Sequence, residues 1–194
     1  MTPLIASVIW FAGIVGWFII RYPHQRRSRR VPKQRSTHRT RERWLLSISF
    51  CGLFVVPLLY VLTGEPRFAD YQFQPLLAWL GSILVVAYLW MFYRTHKDLG
   101  RSWSVTLEIR ERHVLVTRGV YSRLRHPMYT AFWMWAVSQA LLFPNWVAGL
   151  SGLVGFGTLF FFRVGNEERM LLETFGDEYR EYMARTHRVI PGIY

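Results

Sequence analysis

One cysteine, Cys51, is all the thiol chemistry this 194-residue chain carries. An internal disulfide and a thiolate zinc cluster are therefore excluded. A lone cysteine inside an apolar run reads as a small buried hydrophobe. The six histidines show no H-x-x-x-H spacing and no CxxC accompanies them, so no metal is expected. No G-x-G-x-x-G motif is present, so a soluble dinucleotide-binding fold has no fingerprint here. Acids are scarce as well: 12 Asp and Glu stand against 24 Lys and Arg, a net charge of +12. On a soluble core that balance would point to nucleic acid. Yet 52% of the residues are hydrophobic and 17% aromatic. Basic charge combined with long apolar runs marks an integral membrane protein and no nucleic-acid partner.

A helix needs roughly 20 apolar residues to cross the hydrocarbon core. Residues 3–20, 44–63 and 75–93 qualify, and residues 129–162 form a further run interrupted by Phe143-Pro144-Asn145-Trp146. Proline and asparagine there favour a turn. The sequence thus predicts an all-α integral membrane protein of about five transmembrane helices, the last two an antiparallel hairpin. Each hairpin helix is expected to hold about 15 to 17 residues, roughly 25 Å at 1.5 Å per residue. Ala148 with Gly152, and Ser151 with Gly155, place small residues four apart, a spacing that lets the hairpin helices approach closely.

Charge sorts the connections. Under five spans, 23 of the 24 Lys and Arg fall on one side and only Arg67 on the other. The positive-inside rule assigns the basic side to the cytoplasm, with the N-terminus outside and the C-terminus inside. The basic cluster follows residues 3–20 rather than preceding them, the pattern of a retained anchor rather than a cleaved leader. The run 21–43, with ten bases and one acid, is expected to anchor topology on anionic membrane lipids. The chain is read as one membrane domain, 1–194: three helices in 1–93, and a core in 94–194 with the hairpin and an amphipathic C-terminal helix.

Candidate chemistry gathers in that core. Val105, Leu107 and Ile109, then Val114 and Val116, alternate with polar residues, predicting short extended segments. The stretch RLRHPMYTAF, 123–132, turns through Pro127 into the fourth helix, with His126 near its cap and Tyr129 just inside. At the end of the fifth helix, Arg163 and Glu167 are four apart and share a face, with Glu168 about a third of a turn away. The plain reading is an interfacial aromatic belt and one helix salt bridge. The hairpin, however, returns these groups to His126 and Tyr129, and ionisable side chains near membrane depth are costly enough to imply function. Leu172, Phe175, Tyr179 and Tyr182 recur at helical spacing, predicting an amphipathic helix that lies on the membrane or closes over a site.

HVLVTRGVYSRLRHPMY, 113–129, resembles the cofactor segment of isoprenylcysteine carboxyl methyltransferases, and Arg163 to Glu168 with FGDEYREY resembles the second half of the same motif. The wider superfamily includes phospholipid N-methyltransferases. The likeness covers roughly 94–194. It implies a multi-span methyltransferase with a cytoplasmic cofactor pocket, using S-adenosyl-L-methionine, releasing S-adenosyl-L-homocysteine, and acting on a lipid-linked acceptor. It further implies cofactor contacts from His113, Val114, Leu115, Val116, Tyr121, His126, Pro127, Met128, Tyr129, Glu167 and Glu168. Arg163 is the implied acceptor-binding residue and, with Glu167, the implied catalytic pair. Thr130 and Ala131 stand where relatives often place a Gly-containing pair. Three other readings remain at this stage: a phospholipid N-methyltransferase, an NADPH-dependent sterol-reductase-like enzyme, and a non-catalytic lipid-binding protein.

Overall fold

The computed structural model describes residues 1–28, 39–100 and 115–192. Its helices, in order, are α1 (Pro3–Ser28), α2 (Arg39–Phe50), a π-helical turn (Cys51–Val55), α3 (Val56–Thr63), α4 (Pro75–Leu99), α5 (Pro127–Leu142), α6 (Trp146–Phe175) and α7 (Asp177–Arg185). No strand occurs among the described residues. Among the described residues, four stretches are long and apolar enough to cross a membrane: Pro3–Arg26, Thr40–Thr63, Pro75–Leu99 and Trp146–Phe175. The protein is an all-α integral membrane protein.

The second span is one rod made of three pieces, and proline explains why. Pro57 has no N–H and its ring crowds the preceding turn. The chain widens to a π turn before it, where the Val56 N–H reaches the Cys51 carbonyl. That choice orphans the Gly52 carbonyl: its α-helical donor, Val56, is taken, and its π-helical donor is Pro57. Side chains fill the gap. Ser151 Oγ donates to Gly52 O at 2.8 Å and Gln139 Nε2 at 3.1 Å. Gln139 is fully buried and Nε2 also reaches the Ala148 carbonyl at 2.8 Å. An unmet carbonyl in hydrocarbon costs several kcal/mol, so these two side chains are fixed by the proline on another helix.

The small-residue stripe serves two neighbours. Gly152 faces Gln139 of α5 and Leu53, whereas Ser151 and Gly155 face the π turn. A Cβ on Gly52 would lie 2.2 Å from the Ser151 carbonyl oxygen, and one on Gly155 would lie 2.8 Å from the Ile48 carbonyl oxygen. Half of the stripe therefore joins α6 to the second span rather than to α5. Aromatic rings fill the centre. Trp135 of α5, fully buried, lies 6.0 Å from Trp10 and 5.0 Å from Tyr88, centroid to centroid.

At the hairpin turn, Asn145 caps α6 by accepting the Ala148 N–H at 2.8 Å. Its Nδ2 donates to Pro66 O at 2.8 Å and to Asp70 Oδ1 at 2.7 Å. Tyr71 adds N–H to Pro144 O and O–H to Phe143 O, both at 3.0 Å. The loop between α3 and α4 is thus laced to the hairpin tip.

Three expectations need correction. The hairpin is unequal: α5 has 16 residues and α6 has 30, because the charged stretch after Phe162 stays helical. The expected amphipathic helix is broken at Gly176, φ 56°, and α7 beyond it buries Tyr179 and Tyr182 against protein. Cys51 is exposed on the outward side of its helix rather than buried. The expected extended segments lie outside the described residues except for Leu115 and Val116, which adopt no regular structure.

Candidate active site

His126 is the residue before α5, and its carbonyl accepts the first helical N–H groups, from Tyr129 at 3.0 Å and Thr130 at 3.2 Å. Pro127 follows at the first helical position, where a missing N–H costs nothing. The entry loop is held by two devices. One is Asp98 at the end of α4, whose Oδ2 accepts the Val120 N–H at 2.9 Å. Gly119, φ +64°, sits so close to that carboxylate that a Cβ would lie 2.1 Å from Oδ2. The other is the C-terminal tail. Arg125 N–H donates to His187 O at 2.8 Å, His126 N–H to Arg188 O at 3.0 Å, and His187 N–H to Arg123 O at 3.0 Å. Tyr182 donates its O–H to Tyr121 O at 2.6 Å. Burial pushes the Tyr182 phenol up to about 12 and raises the Tyr121 phenol as well.

This lacing brings two layers of charge together. The inner layer centres on Glu168, a side chain only 6% exposed. Arg125 Nε donates to its Oε1 at 3.0 Å and Arg188 Nε at 3.1 Å, while Arg188 Nη2 donates to Oε2 at 2.5 Å. His126 Nε2 lies 3.3 Å from the same Oε1. Arg125 also caps the end of α7, donating to Met183 O at 3.1 Å and to Thr186 O. Glu168 therefore ties α6, the entry loop, α7 and the tail into one knot, with both of its oxygens accepting hydrogen bonds.

The neighbouring layer is differently built. Tyr129 donates its O–H to Glu167 Oε2 at 2.5 Å, and Arg163 Nε lies 3.8 Å from the same oxygen. Among the described residues, only His126 Nδ1 lies near Glu167 Oε1, at 3.9 Å, beyond hydrogen-bond reach. Glu167 is 25% exposed against 6% for Glu168, and among the described residues its Oε1 accepts no hydrogen bond. One helical turn earlier, Arg163 Nη1 lies 3.4 Å from Glu42 Oε1, a residue of α2. Phe160 packs on Tyr129 edge-on, centroids 5.4 Å apart, and His126 stacks on it from the other direction at 5.3 Å. Among the described residues, a partly exposed carboxylate oxygen thus stands beside a buried guanidinium, at the end of an aromatic wall. Such a pair aligns a positively charged donor with a negatively charged acceptor.

Of the residues singled out in the sequence, His126, Tyr129, Arg163, Glu167 and Glu168 converge. Tyr121 and Pro127 are buried in the loop and helix start that hold them, and Met128 packs half-buried on the core. Leu115 and Val116 lead into the Gly119 turn, half-buried; His113 and Val114 lie outside the described residues. Glu42, Asp98 and Arg188 were missed. Only Glu42 left a trace, as the single acid in the basic run 21–43.

The sequence model of the isoprenylcysteine carboxyl methyltransferase family matches residues 79–173. A protein-S-isoprenylcysteine O-methyltransferase of Dictyostelium discoideum is 37% identical over 45% of this chain and 37% of its own length. A probable protein-S-isoprenylcysteine O-methyltransferase of Oryza sativa subsp. indica is 28% identical over 78% of each chain. A solved structure of the eukaryotic intramembrane Ras methyltransferase of this name superposes with a TM-score of 0.51 and 23% identity, over 81% of this chain and 55% of that one. The present chain spans 37% and 49% of two of the curated relatives that it matches, from D. discoideum and Arabidopsis thaliana.

Proposed function

Over residues 79–173 the chain belongs to the isoprenylcysteine carboxyl methyltransferase family, and from that premise we propose that it is an integral membrane methyltransferase. Its methyl donor is S-adenosyl-L-methionine, and its reaction is carboxyl methylation of a prenylcysteine-like or other lipid-linked acceptor. The observation that carries this reading is the open Glu167 oxygen beside Arg163, with Tyr129 bridging to the same carboxylate.

The residues present suit the donor. Glu167 Oε1 is free to take an ammonium in a charge-assisted hydrogen bond. Tyr129 and Phe160 offer rings against which a sulfonium is favourably placed. When bound, the donor would supply an electrophilic methyl group to an acceptor carboxylate that is already anionic, exchanging a C–S bond for a C–O bond with no proton to be removed. The chain therefore needs no general base. Its own work is to orient the acceptor on Arg163, hold the cation at Glu167 and keep water out. The charge distribution supports an active site at the cytoplasmic boundary, open to the soluble donor on one side and to lipid on the other.

Purified protein in lipid nanodiscs, given S-adenosylmethionine labelled in the methyl group and an N-acetyl S-prenylcysteine, tests the proposal. Label transferred to the prenyl compound and released by alkali as methanol is the expected result, since a methyl ester hydrolyses. Alkali-stable label on aminophospholipid would replace the carboxyl reading with N-methylation. Binding of NADPH in place of S-adenosylhomocysteine would remove methyl transfer altogether.

A further inference from the structure

Arg163, the residue proposed to receive the acceptor's carboxylate, already faces one. Glu42 reaches it from α2, 3.4 Å from Nη1, and both side chains are 11% exposed. Glu42 lies outside the family-matched segment, near the start of α2. Its neighbour Arg41 sits over the Phe162 ring at 5.7 Å, so the start of α2 is braced against the same turn of α6. A carboxylate at this depth is costly unless its partner is worth the desolvation. Glu167 lies 3.8 Å from Arg163 on the other side. Around one guanidinium the described chain thus places two carboxylates before any acceptor arrives.

We infer that Glu42 sets the affinity for the acceptor: its carboxylate competes with the acceptor's carboxylate for Arg163, weakening acid binding while leaving a neutral ester unaffected, and retakes the guanidinium once the acid has been esterified. This rests on the proposed function above. The electrostatics decide the sign. An anionic acceptor entering beside Glu42 and Glu167 would put three like charges around one cation, and like charges at such distances repel strongly in a low dielectric. Glu42 therefore yields its place when the acid binds. A methyl ester carries no charge with which to displace Glu42, so it binds with the Glu42–Arg163 pair intact and does not feel the competition. The competition acts on charge at the reacting end, independently of how the lipid chain is held.

The test is direct binding of an N-acetyl S-prenylcysteine and of its methyl ester, by calorimetry in nanodiscs saturated with S-adenosylhomocysteine. Wild type, Glu42→Gln and Glu42→Asp are compared, with a thermal melt of each as the control for folding. Glu42→Gln keeps the shape and removes the charge. It is expected to bind the acid about tenfold more tightly, the equivalent of one moderate ion pair by the affinity relation, and the ester unchanged. In turnover, KM for the acid falls by a similar factor. Glu42→Asp, one methylene short of Arg163, is expected to fall between. A merely structural role would move the melting temperature and affect acid and ester alike, and that result overturns the inference. So does unchanged or weaker acid binding in both variants, or an acid that binds neither wild type nor Glu42→Gln. If wild type forms no methyl ester, the proposed function fails separately, and the ratio of acid to ester affinity still reports whether Glu42 guards Arg163.

Discussion

Two adjacent glutamates on α6 invite opposite predictions, and Glu168→Gln separates them. The substitution keeps size and one carbonyl oxygen. Arg125 Nε and Arg188 Nε can still donate to that oxygen, where they now lie at 3.0 and 3.1 Å. The Arg188 Nη2 bond to Oε2 cannot survive, because an amide NH2 would face a guanidinium N–H. Two arginines, 11% and 25% exposed, also lose their countercharge. Breaking a buried pair by neutralising one partner costs about 3 to 5 kcal/mol. In a chain of this length each kcal/mol moves the melting temperature by about 2 to 4 °C, so a fall of about 6 to 20 °C is expected. Differential scanning fluorimetry of the detergent-solubilised protein, with and without S-adenosylhomocysteine, is the assay. The ligand-induced rise should persist in the variant, displaced downwards as a whole. A variant that melts within 2 °C of wild type but no longer responds to the ligand would refute the reasoning and make Glu168 a ligand of the cofactor.

Glu167→Ala should do the reverse: S-adenosylhomocysteine affinity falls by roughly ten- to a hundredfold, from a charge-assisted bond of about 1.5 to 3 kcal/mol, with little change in melting; calorimetry reads it, and unchanged affinity removes Glu167 from the cation seat. Gly52→Ala should destabilise the second span by about 1 to 3 kcal/mol, because the new methyl meets the Ser151 backbone oxygen and not a movable side chain; a wild-type melt would contradict the packing described. Tyr182→Phe tests the alkaline limb. The Tyr182 phenol is raised from its ordinary value near 10 to about 12, so the folded state holds the proton longer than the unfolded one. Its contribution is complete below about pH 10 and is lost as the pH rises towards 12. The variant should decline less steeply over that window in a pH-dependent melt, and an identical slope would show that Tyr182 is not among the titrating groups.

Much of the architecture was legible because hydrocarbon leaves few choices. Apolar runs of sufficient length can only be helices, and Pro144-Asn145 marks the turn between α5 and α6 because Asn145 is the cap of the second helix. The convergence of His126, Tyr129, Arg163 and Glu167 followed from the hairpin alone. What sequence could not supply is contact between elements with no fixed spacing. Glu42 meets Arg163 across 120 intervening residues, in a register set by the π turn and Pro57, not by any local pattern. Arg188 reaches Glu168 only because the tail pairs with residues 123–126. The exposed Cys51 was misread because apolar neighbours signal burial in water-soluble proteins, whereas on a membrane helix they also mark the face towards lipid.

The lacing of Asn145 to Pro66 and Asp70 has a geometric consequence at the opposite end of α6. Arg163 lies 18 residues beyond the cap, roughly 27 Å away at 1.5 Å per residue. A swing of α6 by about 2° around its cap would carry the guanidinium through roughly 1 Å over that radius, a displacement that can cost a hundredfold in rate when reacting groups must be aligned. The angular tolerance of the proposed methyl transfer is therefore set far from the methyl group, by one amide side chain at the remote tip of the hairpin.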